Sequence, residues 1–435
     1  MTKKSRVTLR RSLKRYWDGT HRVTTPERTE RAVMRKIRAS GLPVVFQMTR
    51  IDGIDKLGLP VYSAQYPDVF NNTKKPGVVT CCKGKGSTVA SARVSALMER
   101  VERFSASDMD LRDVIYAPFE SIRRRAVSRW DLVPCNLQRR LYTKREVDRQ
   151  ILPWTACHSL SRDREVLLPA NMVYFRGFRE NNDFSYTNGL AAGNTIEEAV
   201  LHGLCEVVER HLQEVVYRNG IKTPRVPLES ISDAGLAKIV ARFASAGLKL
   251  YINDVSLDFG IPAFGVFAAD AAGPHYDAHS FYTAVGVHPD KRVALSRALL
   301  ELAQERASVR NAVLGGEIAL EVLPSAPPHI VDECMGIVDL EREVRFDDIA
   351  DIADNDIAVE IGKVVASLGG RGCEVIVKDL THPMLGVPVV RVVVTGLQPG
   401  IWGIGVSELD HEVAQVSSHL NSTPSARAQP RVLGV

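Results

Sequence analysis

Two stretches of this chain carry acids at a spacing that could do chemistry. Ser95, Glu99 and Glu102 stand at i, i+4 and i+7, and so do His202, Glu206 and Glu209; if the segments are helical, each triplet shares one face. A third stretch puts Glu301 and Gln304 at the same three-residue step. Four glutamates converging from two helices repel one another and lose hydration, so they need cations between them or protons on them. Mg2+ is the obvious counter-charge. A few carboxylates hold it, and water and phosphate oxygens complete its octahedron, so an acidic cleft can take a triphosphate. Lys85, in CCKGKGST, adds a point charge, and Gly84 and Gly86 let the backbone approach phosphate near a helix start. The loop lacks the G-x-x-x-x-G-K-[ST] spacing of a P-loop: Val79 stands where the first glycine belongs, and Gly86 follows the lysine.

The acids belong to an internal repeat. GSTVASARVSALMERVER, from Gly86, aligns without gaps on GNTIEEAVLHGLCEVVER, from Gly193, at an offset of 107 residues. VALSRALLELAQER is a weaker third copy, with Ala294, Leu299, Glu301 and Gln304 at the spacing of Ala199, Leu204, Glu206 and Glu209. Taken singly, E-x-x-E-R is commonly a solvated face with ion pairs one turn apart. Its repetition argues for a shared role, and a duplicated packing unit would also explain it.

The elements that must position these residues follow from periodicity. Helices are predicted over about Val89–Ser105, Ile196–Tyr217, Leu236–Ala246, Lys291–Val313 and Ile357–Leu368, where apolar residues recur at three and four. They alternate with β-rich runs such as VVFQMTRI, KLYIND, IPAFGVFAAD and VPVVRVVVTGL, which gives a mixed α/β (α+β) fold. Leu97, Val101, Leu204 and Val208 turn the repeated helices into a core, leaving their acidic edges to border a cleft.

Composition bounds the rest. The 435 residues, 45% hydrophobic and 25% charged, are ordinary globular material. The seven cysteines (81, 82, 135, 157, 205, 334, 373) show no C-x-x-C pair and no zinc spacing, which fits a reducing, cytoplasmic setting. No run of about 18 apolar residues exists, so no membrane partner is expected. Residues 1–18 read as a basic, flexible tail, with TKKSRVTLRRSLKRYW holding seven Lys/Arg and no acid; no nucleic acid partner is assigned to it. Residues 19–406 are expected to form the domain that carries the acidic triplets, with an insertion at about 123–165, and 407–435 a C-terminal tail with one short helix, HEVAQVSSHL.

These residues resemble the YcaO family of ATP-dependent amide-activating enzymes. The likeness runs through TRIDGIDKLGLPVYSA, the GKG loop with Ser95, Glu99 and Glu102, TNGLAAGNTIEEAVLHGLCEVVERH, and E-x-x-Q-x-R at Glu301, Gln304 and Arg306. It covers roughly residues 20 to 405 and implies a YcaO-type fold, with helix-strand units repeated around an ATP-binding cleft. It further implies Mg2+ and phosphate contacts from Glu99, Glu102, Glu198, Glu206 and Glu209, with Ser95, Asn194, Arg210 and Gln304 nearby. Arg22 and Thr29 match early nucleotide-binding positions, and Arg391 lies near a late motif.

Family chemistry implies that a nucleophile adds to a backbone amide and ATP phosphorylates the resulting oxyanion. HRVTTPERT, IDKLGLPVYSA and GKG…SALMERVERFSA look like members that form thioamides with a TfuA-like partner, on a ribosomally made peptide or protein and with sulfide supplied from outside. A homodimer is expected by resemblance. The chain ends in TPSARAQPRVLGV rather than the P-x-P-x-P tail of azoline formers, so cyclodehydration is the runner-up. An accessory scaffold for protein modification, such as ribosomal methylthiolation, is the alternative of another class.

Overall fold

The computed structural model describes residues 6–53, 55–67, 79–109, 113–132, 143–175, 187–270, 281–314 and 336–397, all within the unit Met1–Pro399. α1 (Pro26–Ser40) precedes the antiparallel strands β1 (Gln47–Arg50), β2 (Val61–Pro67) and β3 (Val79–Lys85), which lead into α2 (Val89–Ser107). β4 (Val114–Pro118), β5 (Ile151–Ser159), β6 (Arg164–Pro169) and the short β7 (Leu190–Ala192) follow and lead into α3 (Ile196–Arg218). β8 (Thr223–Arg225), α4 (Ala234–Ser245), β9 (Leu248–Asp254), β10 (Ala263–Asp270) and β11 (Phe281–Val287) lead into α5 (Lys291–Leu314). β12 (Val338–Glu343), α6 (Ile357–Gly369), β13 (Val375–Asp379) and β14 (Val389–Val394) close the described chain.

The sequence repeat is thus a structural one: three times a strand runs through a short turn into a long helix. The three strands lie in separate sheets, ordered β1-β2-β3, β4-β5-β13-β14-β7 with β6 on β5, and β11-β10-β9-β8-β12. Each turn ends on a residue that caps its helix. Thr88 accepts from Ser91 N at 3.2 Å, Thr195 from Glu198 N at 3.2 Å, and Asp290 from Arg292 N at 2.8 Å. Glycine is required at two of the turns. A Cβ on Gly86 would lie 2.5 Å from Ala92 N, and one on Gly193 would lie 2.6 Å from Ala199 N.

Apolar spacing decides which face of each helix turns inward. α3 buries Val200, Leu204, Val208, Leu212 and Val216, and α5 buries Leu295, Leu299 and Leu302. Each buried leucine or valine contributes on the order of 1.5–3 kcal/mol, which sets the inward face of these helices and leaves the acids along the edge that borders the cleft.

Three expectations need correction. Residues 6–18 are not a loose tail but a strap bonded along the body. Val7 is buried, Arg10 N donates to Glu197 Oε1 at 2.7 Å, Ser12 N donates to Asp356 Oδ1 at 2.8 Å, and Lys14 is wholly buried on Glu360 at 2.5 Å. Basic composition reads as solvated because it does not reveal which distant carboxylates will pair with it. The proposed insertion at 123–165 holds β5, a strand inside the largest sheet: it pairs with β4, β6 and β13 and carries the fully buried Trp154. α1 was absent from the predicted helices although Thr25 caps it and Pro26 opens it. Residues 133–142 of the expected insertion and the tail 407–435, including HEVAQVSSHL, lie outside the described residues.

Candidate nucleotide-binding cleft

The acidic edges of α2 and α3 and the matching edge of α5 line one cavity of about 550 Å3. From α2 come Ser95, Glu99 and Glu102; from α3 and the turn before it Asn194, Glu198, His202, Glu206, Glu209 and Arg210; from α5 Arg297, Glu301 and Gln304. Lys85 reaches in from the end of β3, and Arg22, between the strap and α1, and Thr29 of α1 close the cleft. The cavity therefore brings together thirteen of the fourteen residues singled out in the sequence. The fourteenth, Arg306, is turned away into the core, where its Nε donates to Asp55 Oδ1 at 2.9 Å and both side chains are shut from solvent. It lies five residues past Glu301 and two past Gln304 on α5, and its long side chain follows the buried face.

Glu198 clasps the N-terminal segment to α3. Its carboxylate accepts from Val23 N at 2.6 Å and from the backbone and side-chain amides of Asn194 at 2.9 and 2.8 Å, while Asn194 Oδ1 accepts from Thr29 at 2.8 Å. A cation bound by Glu198 would share oxygens already engaged with these amides.

The remaining acids are under electrostatic strain. Burial holds Glu102 well above the usual carboxylate range, and Glu206 and Glu99 push it the same way. Burial also raises Glu206, against the pull of Arg210 and with the push of Glu209. Glu99 is raised by burial and partly relieved by its ion pair with Arg103 and by Lys85. The cationic side is strained in the opposite sense. Burial, with Arg297 adding to it, pulls the Lys85 ammonium down to about 8, although Lys85 is ion-paired with Glu301. Burial and Arg297 hold His202 neutral.

These strains are those that Mg2+ and a polyphosphate relieve together. A divalent cation beside Glu99, Glu102 and Glu206 would relieve the first strain, and it would bring phosphate oxygens toward Lys85, whose charge they would favour. Arg297 Nε is buried with no hydrogen-bond partner among the described atoms, a donor left over beside the cavity. Among the described residues, no three His, Cys, Asp or Glu side chains already stand together as a metal site. The acids fit a cation whose shell is completed by phosphate and water rather than an all-protein cage.

The sequence reading missed Arg297, Arg103 and the true setting of Arg391. Arg297 pairs with Glu209 at 3.2 Å. It occupies the place in the third copy that Ser95 and His202 hold in the first two, so the repeat itself carried the signal. Arg391 is buried in β14, where its Nε donates to Val173 O at 3.0 Å and its Nη1 to Asn188 O at 2.7 Å. Burial lowers its guanidinium to about 10 against the pull of Glu206 and Glu102, the acids whose charge it balances from behind the cleft. Only the apolar run around it was visible in sequence.

Residues 83–398 match the family described as YcaO cyclodehydratase, ATP- and Mg2+-binding. The chain belongs to the YcaO family. ATP and Mg2+ are the cofactors of the family and of this chain with it. A Rhizobium leguminosarum bv. trifolii protein, uncharacterized and placed in the region 3′ of tfuA, is 30% identical over 91% of this chain and 93% of its own length, in line with the resemblance to TfuA-associated YcaO proteins. YcaO from Methanopyrus kandleri, solved with AMPPCP and Mg2+, shares the fold at a TM-score of 0.65 and 24% identity, over 88% of this chain and 93% of that one. A heterocyclase solved with substrate and cofactor gives a TM-score of 0.74 at 24% identity, over 90% of this chain, which spans 54% of that protein. The expected mixed α/β YcaO-type fold is therefore present. No described helix is long and apolar enough to cross a membrane.

Proposed function

We propose that this YcaO chain phosphorylates the oxygen of a peptide-backbone amide at the expense of ATP and that external sulfide is the nucleophile, so that the product is a thioamide. The observation that carries the ATP-dependent step is the cleft itself, with carboxylates held above their usual range facing Lys85, Arg210 and Arg297 across a space of about 550 Å3. Mg2+ would be held by Glu99, Glu102, Glu206 and Glu209 and would neutralise charge on the transferring phosphoryl group. In the overall reaction a sulfide lone pair forms the C–S bond and the carbonyl π pair moves to oxygen. That oxygen takes the γ-phosphoryl group with release of ADP. The C–O bond then breaks, its electron pair leaving with phosphate as the S–H proton is lost.

Two observations favour sulfide from outside. The thiols of Cys82, Cys157 and Cys205 are buried and pushed up to about 12 by that burial, so none of these three is a thiolate able to pass sulfur on. The likeness to the protein of the tfuA region supports a TfuA-like partner as the route by which sulfide and peptide arrive. An azoline-forming cyclodehydratase is the second reading, favoured by the shared fold of the heterocyclase. The accessory-scaffold reading leaves the paired acids without a purpose.

Mass spectrometry of a peptide treated with this chain, its TfuA-like partner, ATP, Mg2+ and sulfide separates these readings. Exchange of one oxygen for sulfur, dependent on both ATP and sulfide, is expected. Loss of one water without sulfide would establish the azoline reading, and absence of any nucleotide turnover would establish the scaffold.

A further inference from the structure

α1 carries a one-sided row of arginines that no part of the nucleotide site uses. Arg28, Arg31, Arg35 and Arg38 follow one another at steps of three, four and three and are all exposed, whereas Thr29, Val33 and Ile37 on the opposite face are buried. Among the described residues none of the four forms an ion pair within 4.0 Å or a side-chain hydrogen bond, although Arg31 acts on the Glu27 carboxylate one turn earlier; their neighbours are engaged, Arg93 with Glu30 at 2.6 Å and Lys36 with Gly386 O at 2.6 Å. Glu27, in the first turn, is the only acid on the exposed face of α1.

The row spans roughly 15 Å at 1.5 Å per residue. Successive arginines lie about 5–6 Å apart, inside the Debye length of about 8 Å at physiological salt, so their fields add. The row also starts at the cleft. Thr24, Pro26 and Thr29, at the start of α1, line the cavity, and Thr29 is bonded to Asn194 beneath it. Asp18 to Thr20 and Arg22, at and just after the end of the strap, line the same mouth, and Arg15 of the strap is exposed.

We infer that the exposed face of α1 is the docking surface for an acidic segment of the peptide substrate, held along Arg28, Arg31, Arg35 and Arg38 so that the following residues enter the cleft at Thr24–Thr29. Charge complementarity sets the chemistry of the partner, because four exposed guanidinium groups in a row, faced by the single acid Glu27, match carboxylates spaced along an extended or helical chain. The amide chemistry proposed for the cleft at one end of the row favours a peptide over a nucleic acid, and in this respect the inference rests on the peptide-modifying reading above.

The test is fluorescence anisotropy with a labelled deca-glutamate peptide and a single-stranded RNA oligonucleotide of equal charge, on the full chain and on Arg31→Glu/Arg35→Glu/Arg38→Glu. The wild type is expected to bind the acidic peptide more tightly than the RNA, with affinity falling as salt rises. The triple variant should lose about tenfold or more in peptide affinity. The variant should still bind a non-hydrolysable ATP analogue with Mg2+ as the wild type does, which shows that it is folded. Arg31→Gln/Arg35→Gln/Arg38→Gln should fall between the two. Equal peptide binding by all three proteins, or tighter binding of RNA by the wild type, would overturn the inference. Peptide binding lost in the variant while no thioamide forms in the wild type would uphold this surface and bring down the sulfide reading instead.

Discussion

The first two copies of the repeated unit and the third share one architecture and meet the same cavity, yet they present different charges to it. α2 and α3 each bring two glutamates one turn apart, with Ser95 or His202 a turn earlier. α5 keeps one acid, Glu301, which is paired with Lys85; it replaces the second with Gln304 and puts Arg297 where the others have Ser95 and His202. A third acidic pair in place of Gln304 and Arg297 would add negative charge beside Lys85 and Arg210 and take one guanidinium from the same cavity. Two acidic copies and one mixed copy give a cleft with a cation side and an anion side, which a metal–triphosphate requires.

Exchanging chemistry between the copies breaks that division. Glu206→Gln keeps the shape of α3 and removes one acid from the cation side. ATP turnover is expected to fall by a factor on the order of 10² or more while the melting temperature holds or rises, since a carboxylate strained by burial has been relieved. Turnover within twofold of wild type would place the metal elsewhere. Arg297→Met removes the unpaired donor from the anion side and frees Glu209. Nucleotide affinity should drop by roughly tenfold, with the larger share of the loss seen for ATP rather than AMP, because the phosphates furthest from the base are affected.

The smallest effect is on stability. Glu102 and Glu206 are raised above the ordinary value of 4.5, so the folded chain without ligand retains protons that the unfolded chain has released. Their penalty is absent below about pH 4.5 and grows as pH rises through the raised values, so the ligand-free protein should lose stability over that interval. Mg2+ with a nucleotide analogue should flatten the slope, as should Glu102→Gln. A melting curve that rises monotonically from pH 4.5 to 7 in the wild type and the variant alike would count against strained acids in the cleft.

How far the sequence revealed this depended on whether a signal was periodic. The three long helices and the acids on them could be read because apolar spacing and an internal repeat both marked them, and the observed bounds of α2, α3 and α5 differ from the predicted ones by one or two residues at their ends. β5 escaped because its neighbours in the sheet, β4, β6 and β13, are brought beside it by the fold, and an Arg- and Pro-rich context hid a strand whose Trp154 is fully buried. The strap was misread for a related reason: Lys14 finds Glu360 and Ser12 finds Asp356 across more than 340 residues, and charge alone reads as solvation. Arg306 looked like part of a motif because it follows Glu301 and Gln304, but side-chain direction on α5 sends it to Asp55. Arg297 could have been found by completing the third copy of the repeat, since position matters there more than residue type.

The central claim is that the two acidic copies hold the cation on which nucleotide binding depends. Isothermal titration of a non-hydrolysable ATP analogue, with and without Mg2+, into the wild type and Glu99→Gln/Glu206→Gln tests it most directly. Binding that requires Mg2+ in the wild type and is lost in the double variant is the predicted result; equal Mg2+-dependent binding by both proteins would contradict it.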